Sequence, residues 1–137
     1  MSPACPLLSP LWRFGLRATL LALLVNLALY GLARLLGVPF AVTPPGQGPQ
    51  EVGWANVALL TALPMLLGLA LYAPLRRRTS RAYPLFQGLA LLVFVLMAFG
   101  PFAATQEGST RLVLSLLHVP PVLGFLWALW RAEKAGW

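Results

Sequence analysis

Charge is scarce in this sequence: 9% of its 137 residues are charged, and aspartate is missing altogether. A soluble domain carries about a quarter charged residues, so a soluble globular fold is excluded. Only three acids are present, Glu51, Glu107 and Glu133, and a single histidine, His118. None of the acids falls in an apolar stretch, which removes carboxylate pairs for acid–base work and a His/carboxylate metal site. The one cysteine, Cys5, rules out an internal disulfide and any multi-cysteine metal site. It precedes the first apolar stretch, whereas a lipoprotein cysteine follows one, and it reads as an inert tail thiol. Isoleucine is missing too, and arginine outnumbers lysine nine to one. That is the bias of a GC-rich bacterial genome and carries no mechanism.

What is present is apolar: 59% of the residues, with a mean hydropathy of +0.79. About twenty apolar residues cross a bilayer as a helix. Four such stretches can be read off, at 18–36, 54–75, 84–102 and 112–130, the first interrupted only by Arg34. The remainder is too short for a soluble catalytic domain or a nucleotide-binding fold. The expected architecture is all-α, an antiparallel four-helix transmembrane bundle with a Pro/Gly-rich outer loop at 37–53, and residues 1–137 form one four-span domain. The alternation of Val38, Phe40 and Val42 predicts a short extended segment in that loop. Ser109 and Thr110 are placed to cap the fourth helix.

The net charge of +7 does not imply nucleic acid, because of how it is distributed. Arg13, Arg17, Arg76, Arg77, Arg78, Arg81, Arg131 and Lys134 fall on one side of the four spans. Arg34 and Arg111 fall on the other, beside Glu51 and Glu107. Short loops rich in Lys and Arg stay cytoplasmic. A multi-pass protein of the bacterial inner membrane with both termini inside is expected. The cluster Arg76, Arg77, Arg78 and Arg81 is suited to anionic lipid headgroups, although orientation alone accounts for it. The first apolar stretch runs on to Leu36 and offers only a poor cleavage site at 28–31, so it reads as an uncleaved helix rather than a signal peptide.

Helix association in lipid depends on close packing and polar contacts. Small residues four apart supply it at Ala18/Ala22, Ala33/Gly37, Ala58/Ala62 and Gly124/Ala128. Trp12, Trp54, Tyr72, Tyr83, Trp127, Trp130 and Trp137 fall near span ends, where amphipathic rings favour the interface. Pro64 removes the amide that would bond the Leu60 carbonyl, and Pro120-Pro121 do the same to Leu116 and Leu117. Broken backbone at membrane depth must be re-satisfied by protein or water. The breaks read either as kinks that shape packing or as a binding site.

At about 1.5 Å per residue, Tyr30, Thr61 and His118 all lie roughly 10 Å beneath the outer surface. Asn26 is one turn deeper than Tyr30 on the same face. Arg111, Ser115 and His118 form one column on the fourth helix. An ionisable group within a membrane is a functional candidate by default. The candidate ligand site or polar network is therefore His118, Tyr30, Asn26, Thr61, Ser115 and Arg111. His118 is expected to face the interior and to bond Tyr30, Thr61 or Asn26, in a structural or a ligand-handling role. No catalytic residue, cofactor or metal is assigned. Ser115 and His118 lack a nucleophile elbow and a third orienting group, and a His118/Met97 haem ligation is a pairing that arises easily by chance in an apolar bundle.

The order of features resembles a family of uncharacterised small bacterial four-helix membrane proteins, a domain of unknown function. The resemblance covers nearly the whole chain. It rests on the Leu-Gly-Val-Pro-Phe-Ala-Val run at 36–42, Val-Gly-Trp-Ala-Asn at 52–56, the Arg triplet at 76–78 followed by Tyr-Pro-Leu-Phe at 83–86, and the stretch from Ser109 to Val119. The Pro120-Pro121 pair departs from the small apolar residues that usually follow this histidine. The family implies the fold and no activity. The leading expectation is a non-enzymatic accessory or interaction subunit, with a homo-oligomer or another membrane protein as candidate partner. The alternative is a binder or carrier of a small apolar or amphipathic molecule in an outward-facing pocket near His118. The two differ in one observable: a binder has a cavity reaching His118, and a scaffold fills that space with side chains.

Overall fold

The computed structural model describes residues 9–136, so the readings placed on Cys5 and Trp137 lie outside it. Helix α1 spans Pro10–Leu35. A two-residue hairpin follows, β1 at Ala41–Val42 and β2 at Gln50–Glu51, antiparallel with Ala41 opposite Glu51. Helix α2 is Trp54–Arg78, α3 Ala82–Ala98, α4 Gly100–Ala104, α5 Gly108–Leu117 and α6 Val119–Lys134. Taken across their short breaks, α3 with α4 and α5 with α6 make two further rods. The result is four helices, each long and apolar enough to cross a membrane. The chain is a multi-pass membrane protein built as an antiparallel four-helix bundle with a Pro/Gly-rich loop.

Helix α1 starts eight residues before the apolar stretch does. Ser9 caps it by accepting from the Trp12 amide, and Pro10 supplies a first-turn residue that needs no amide partner. Arg13 and Arg17 therefore ride on the helix rather than precede it. The Arg13 and Arg131 guanidiniums lie over the Phe14 ring, at 5.8 and 5.0 Å. The fourth rod likewise extends past Trp130 to Lys134, with Lys134 over the Trp130 ring at 4.8 Å.

Helix α1 is the hub, packing along α6 and α2. Leu11, Phe14, Ala18 and Ala22 meet Met65, Leu69, Phe125, Ala128 and Leu129 in the main core. The approach is close because glycines stand at the contact. A Cβ on Gly15 would fall 2.4 Å from Leu69 Cδ1, and one on Gly124 would fall 3.4 Å from the Ala18 carbonyl. The Gly124/Ala128 and Ala18/Ala22 pairs thus face each other, as small residues at a helix crossing do. Helix α3 is peripheral. It rests on α6 and meets α2 where Tyr72 packs edge-on against Phe86, ring centroids 5.2 Å apart.

At that end, Arg76 Nε and Nη2 donate to the two Glu133 carboxylate oxygens at 2.6 and 3.1 Å, and the Tyr72 hydroxyl donates to Oε1 at 2.5 Å. One correction follows. Tyr72 is fully buried in this knot instead of sitting at the lipid interface. Arg76 is committed to Glu133, which leaves Arg77, Arg78 and Arg81 as the exposed members of the basic cluster.

A second, smaller core lies at the opposite end, where Phe40, Tyr30, Ala33, Val57 and Leu117 come together. Phe40 adopts a left-handed backbone (φ 53°), rare for a bulky residue. The turn drives its ring inward, against Tyr30 at 4.6 Å. The extended segment expected from the alternation at 38–42 is accordingly confined to Ala41–Val42.

Candidate functional site

Two of the four rods are interrupted, and each interruption has a proline cause. Pro101 has no amide for the Met97 carbonyl, which accepts instead from Phe99 at the end of α3. Pro121 has none for the Leu117 carbonyl, and Pro120 none for that of Leu116. His118 stands between α5 and α6, its amide donating back to Leu116 and Ser115. Pro120 then occupies the first turn of α6, where a missing amide is harmless. Pro64 behaves differently: α2 runs through it, and through Pro74, without interruption.

The freed Leu117 carbonyl is met from α1. Asn26, 1% exposed, donates through Nδ2 to Leu117 O at 2.8 Å and to Thr61 Oγ1 at 2.8 Å. The Thr61 hydroxyl donates onward to the Val57 carbonyl at 2.7 Å. Asn26 and Thr61 thus tie α1, α2 and the broken fourth rod together at one level. Asn26 Oδ1 is buried with no partner among the described residues.

His118 does not make the bond expected of it. Its Nδ1 lies 2.6 Å from the Leu114 carbonyl of its own helix, which its backbone amide has abandoned for the tighter bonds of the helix end. The break places the ring where it can take that orphaned carbonyl. A carbonyl only accepts, so Nδ1 carries the proton.

The other candidates serve separate tasks. The Tyr30 hydroxyl donates to the Val52 carbonyl at 3.0 Å, holding the end of the hairpin loop, while Arg34 lies over both Tyr30 and Phe40 and pairs with Glu51. Ser115 Oγ donates to the Ala98 carbonyl at 3.4 Å, linking the two interrupted rods at their breaks. Arg111 donates to the Thr105 carbonyl at 2.7 Å and lies 4.7 Å over the Phe102 ring, closing the turn between α4 and α5. The column read from spacing therefore divides among three partners.

The cap of α5 is Glu107, not the hydroxyls that follow it. Its carboxylate accepts from the Ser109 amide and hydroxyl at 3.0 and 2.6 Å and from the Thr110 amide. A carboxylate at this position answers both the free amides and the positive end of the helix. The Ser109 hydroxyl, followed by Thr110, holds the Glu107 carboxyl down to about 2. It stays ionised through the physiological range.

A cleft of about 450 Å³ lies between α2 and α3 and reaches His118. Asn26, Thr61, Leu117 and His118 contribute its polar and backbone-broken part. Pro64 and Gly68 of α2, Phe86, Ala90 and Phe94 of α3, and Phe125 of α6 contribute apolar walls. No lysine, arginine, aspartate or glutamate side chain lines it. Its rim residues Leu60, Leu67, Leu89 and Met97 are exposed, so in a bilayer the cleft opens sideways to lipid. Sequence reasoning missed the α3 wall. The spacing Phe86, Ala90, Val93, Met97 sets one face of a helix, but within a wholly apolar segment that face does not stand out. Among the described residues no three His, Cys, Asp or Glu side chains gather to hold a metal.

Neither the curated proteins nor the solved structures contain a match to this chain. A family model does match it, over residues 6–135 and hence almost its full length. The chain belongs to a family of unknown function, DUF6069.

Proposed function

We propose that this protein is a non-enzymatic membrane protein that holds a small apolar or amphipathic molecule in the cleft between α2 and α3, beside His118. The observation that carries this reading is the cleft itself. A scaffold would fill the space in front of His118 with side chains, and here about 450 Å³ stays open, within the range of small-molecule sites. The test is native mass spectrometry of the protein released from mild detergent. The wild type is expected to carry a bound small molecule, and Ala90→Phe, which fills the cleft from α3, to lose it. A wild type that is bare, but retains a stoichiometric protein partner, supports the accessory-subunit reading instead. That reading draws on α3, whose Leu92, Val95 and Leu96 face away from the bundle.

The proposed setting is the bacterial inner membrane, with the Arg77, Arg78 and Arg81 end in the cytoplasm among anionic headgroups. A cysteine introduced at Gln47 or Gln106 is then labelled in intact cells by an impermeant maleimide, and one at Thr79 is protected. Labelling at Thr79 reverses the orientation.

A further inference from the structure

The cleft holds an acceptor in want of a donor. Asn26 Nδ2 is engaged by Thr61 Oγ1 and by the Leu117 carbonyl. The second partner fixes the amide's orientation, because a carbonyl cannot donate. Oδ1 is then an acceptor with no partner among the described residues, but it is enclosed by protein, so a molecule in the cleft does not reach it. The acceptor within reach is on His118. With its proton on Nδ1 towards Leu114, the ring leaves Nε2 as an acceptor with no partner among the described residues, and the ring lines the cleft.

An acceptor left unpaired in an apolar cleft is a cost that an incoming donor removes. No carboxylate lines the cleft to balance a cation, and no lysine or arginine to balance an anion, so a neutral occupant is favoured. Phe86, Phe94 and Phe125 offer faces and edges to a flat or chain-like apolar body. Resting on the proposed reading of the cleft as a ligand site, we infer that it selects a neutral, largely apolar molecule headed by a hydroxyl, a phenol or alcohol whose O–H donates to His118 Nε2. Ethers, ketones and hydrocarbons of the same shape lack the donor and are discriminated against.

The pair 4-hexylphenol and 4-hexylanisole differs in that donor alone, apart from one methyl group. Titrated into the full-length protein in detergent, and corrected for partition into the micelle, the phenol is expected to bind about tenfold more tightly, the weight of one buried hydrogen bond. In Ala90→Phe both compounds should lose binding. In His118→Phe the preference should fall towards unity; if that variant does not fold, the wild-type ratio alone decides. Equal affinities in the wild type, both abolished by Ala90→Phe, overturn the donor requirement and leave the cleft a ligand site. Binding of neither compound overturns the donor requirement and counts against the cleft reading as well.

Discussion

Asn26→Leu is expected to lower the thermal midpoint of the detergent-solubilised protein by several degrees, from a loss of about 1–3 kcal/mol. Leucine matches the volume of asparagine closely enough that packing is not the issue. What disappears is the pair of 2.8 Å bonds from Nδ2 to Thr61 and to Leu117. The Thr61 hydroxyl keeps its own bond to Val57, so losing Asn26 costs it little. The Leu117 carbonyl is in a harder position, since Pro121 gives it no amide and the surroundings are apolar. The unpaired Oδ1 disappears as well, which offsets part of the cost. Thr61→Val is the control: it removes an acceptor without stranding a carbonyl, and its effect should be smaller. Equal midpoints for wild type and Asn26→Leu, followed by intrinsic fluorescence on heating, would show that the three-way tie contributes nothing.

Glu133→Ala is expected to be comparably damaging, about 2 kcal/mol. It leaves Arg76 without its two-pronged acceptor and the Tyr72 hydroxyl without its short bond. The ion-pair side chains are partly exposed, at 30% for Arg76 and 22% for Glu133. Solvent therefore screens some of the attraction and keeps the loss below that of a fully buried pair. Tyr72 has no such relief, because it is sealed between α2, α3 and α6. Glu133→Gln retains acceptors for the tyrosine and for one guanidinium N–H, and should recover about half of the loss in the same melting experiment. Full recovery would assign the stability to hydrogen bonding and none to charge; no recovery would assign it to charge.

Much of the bundle was legible because apolar run length is a direct reading of membrane thickness. The number of spans and the 54 start of the second follow from it. Span ends were not legible, since the stretches were cut at charges, and Arg13, Arg17, Arg131 and Lys134 turn out to lie on helix, with the heads of Arg13, Arg131 and Lys134 against aromatic rings. Depth arithmetic brought Asn26 and Thr61 to adjoining levels, and the two do bond. It could not place the His118 partner. The break at Pro120-Pro121 re-routes the carbonyls of 114–117, and a side chain beside a break answers whichever backbone group is left over. The same holds for Ser115, drawn to the Ala98 carbonyl at the other break. Glu133 was invisible for a different reason. It looks like a tail charge until α6 is seen to run through it and to lie alongside the end of α2.

The bond between Asn26 and Leu117 also constrains how the sequence could have changed over time. An alanine at position 121 would return an amide to the Leu117 carbonyl, and position 26 would then be free to become apolar. With proline at 121, that freedom is lost. A lineage could reach the present pair by acquiring asparagine first and proline second with little loss at either step, whereas the opposite order passes through an intermediate with a stranded carbonyl in the bilayer. Once both are in place the change is hard to reverse from the asparagine side. Positions 26 and 121, ninety-five residues apart and not themselves bonded, are expected to vary together among relatives, with apolar residues at 26 found where 121 is not proline.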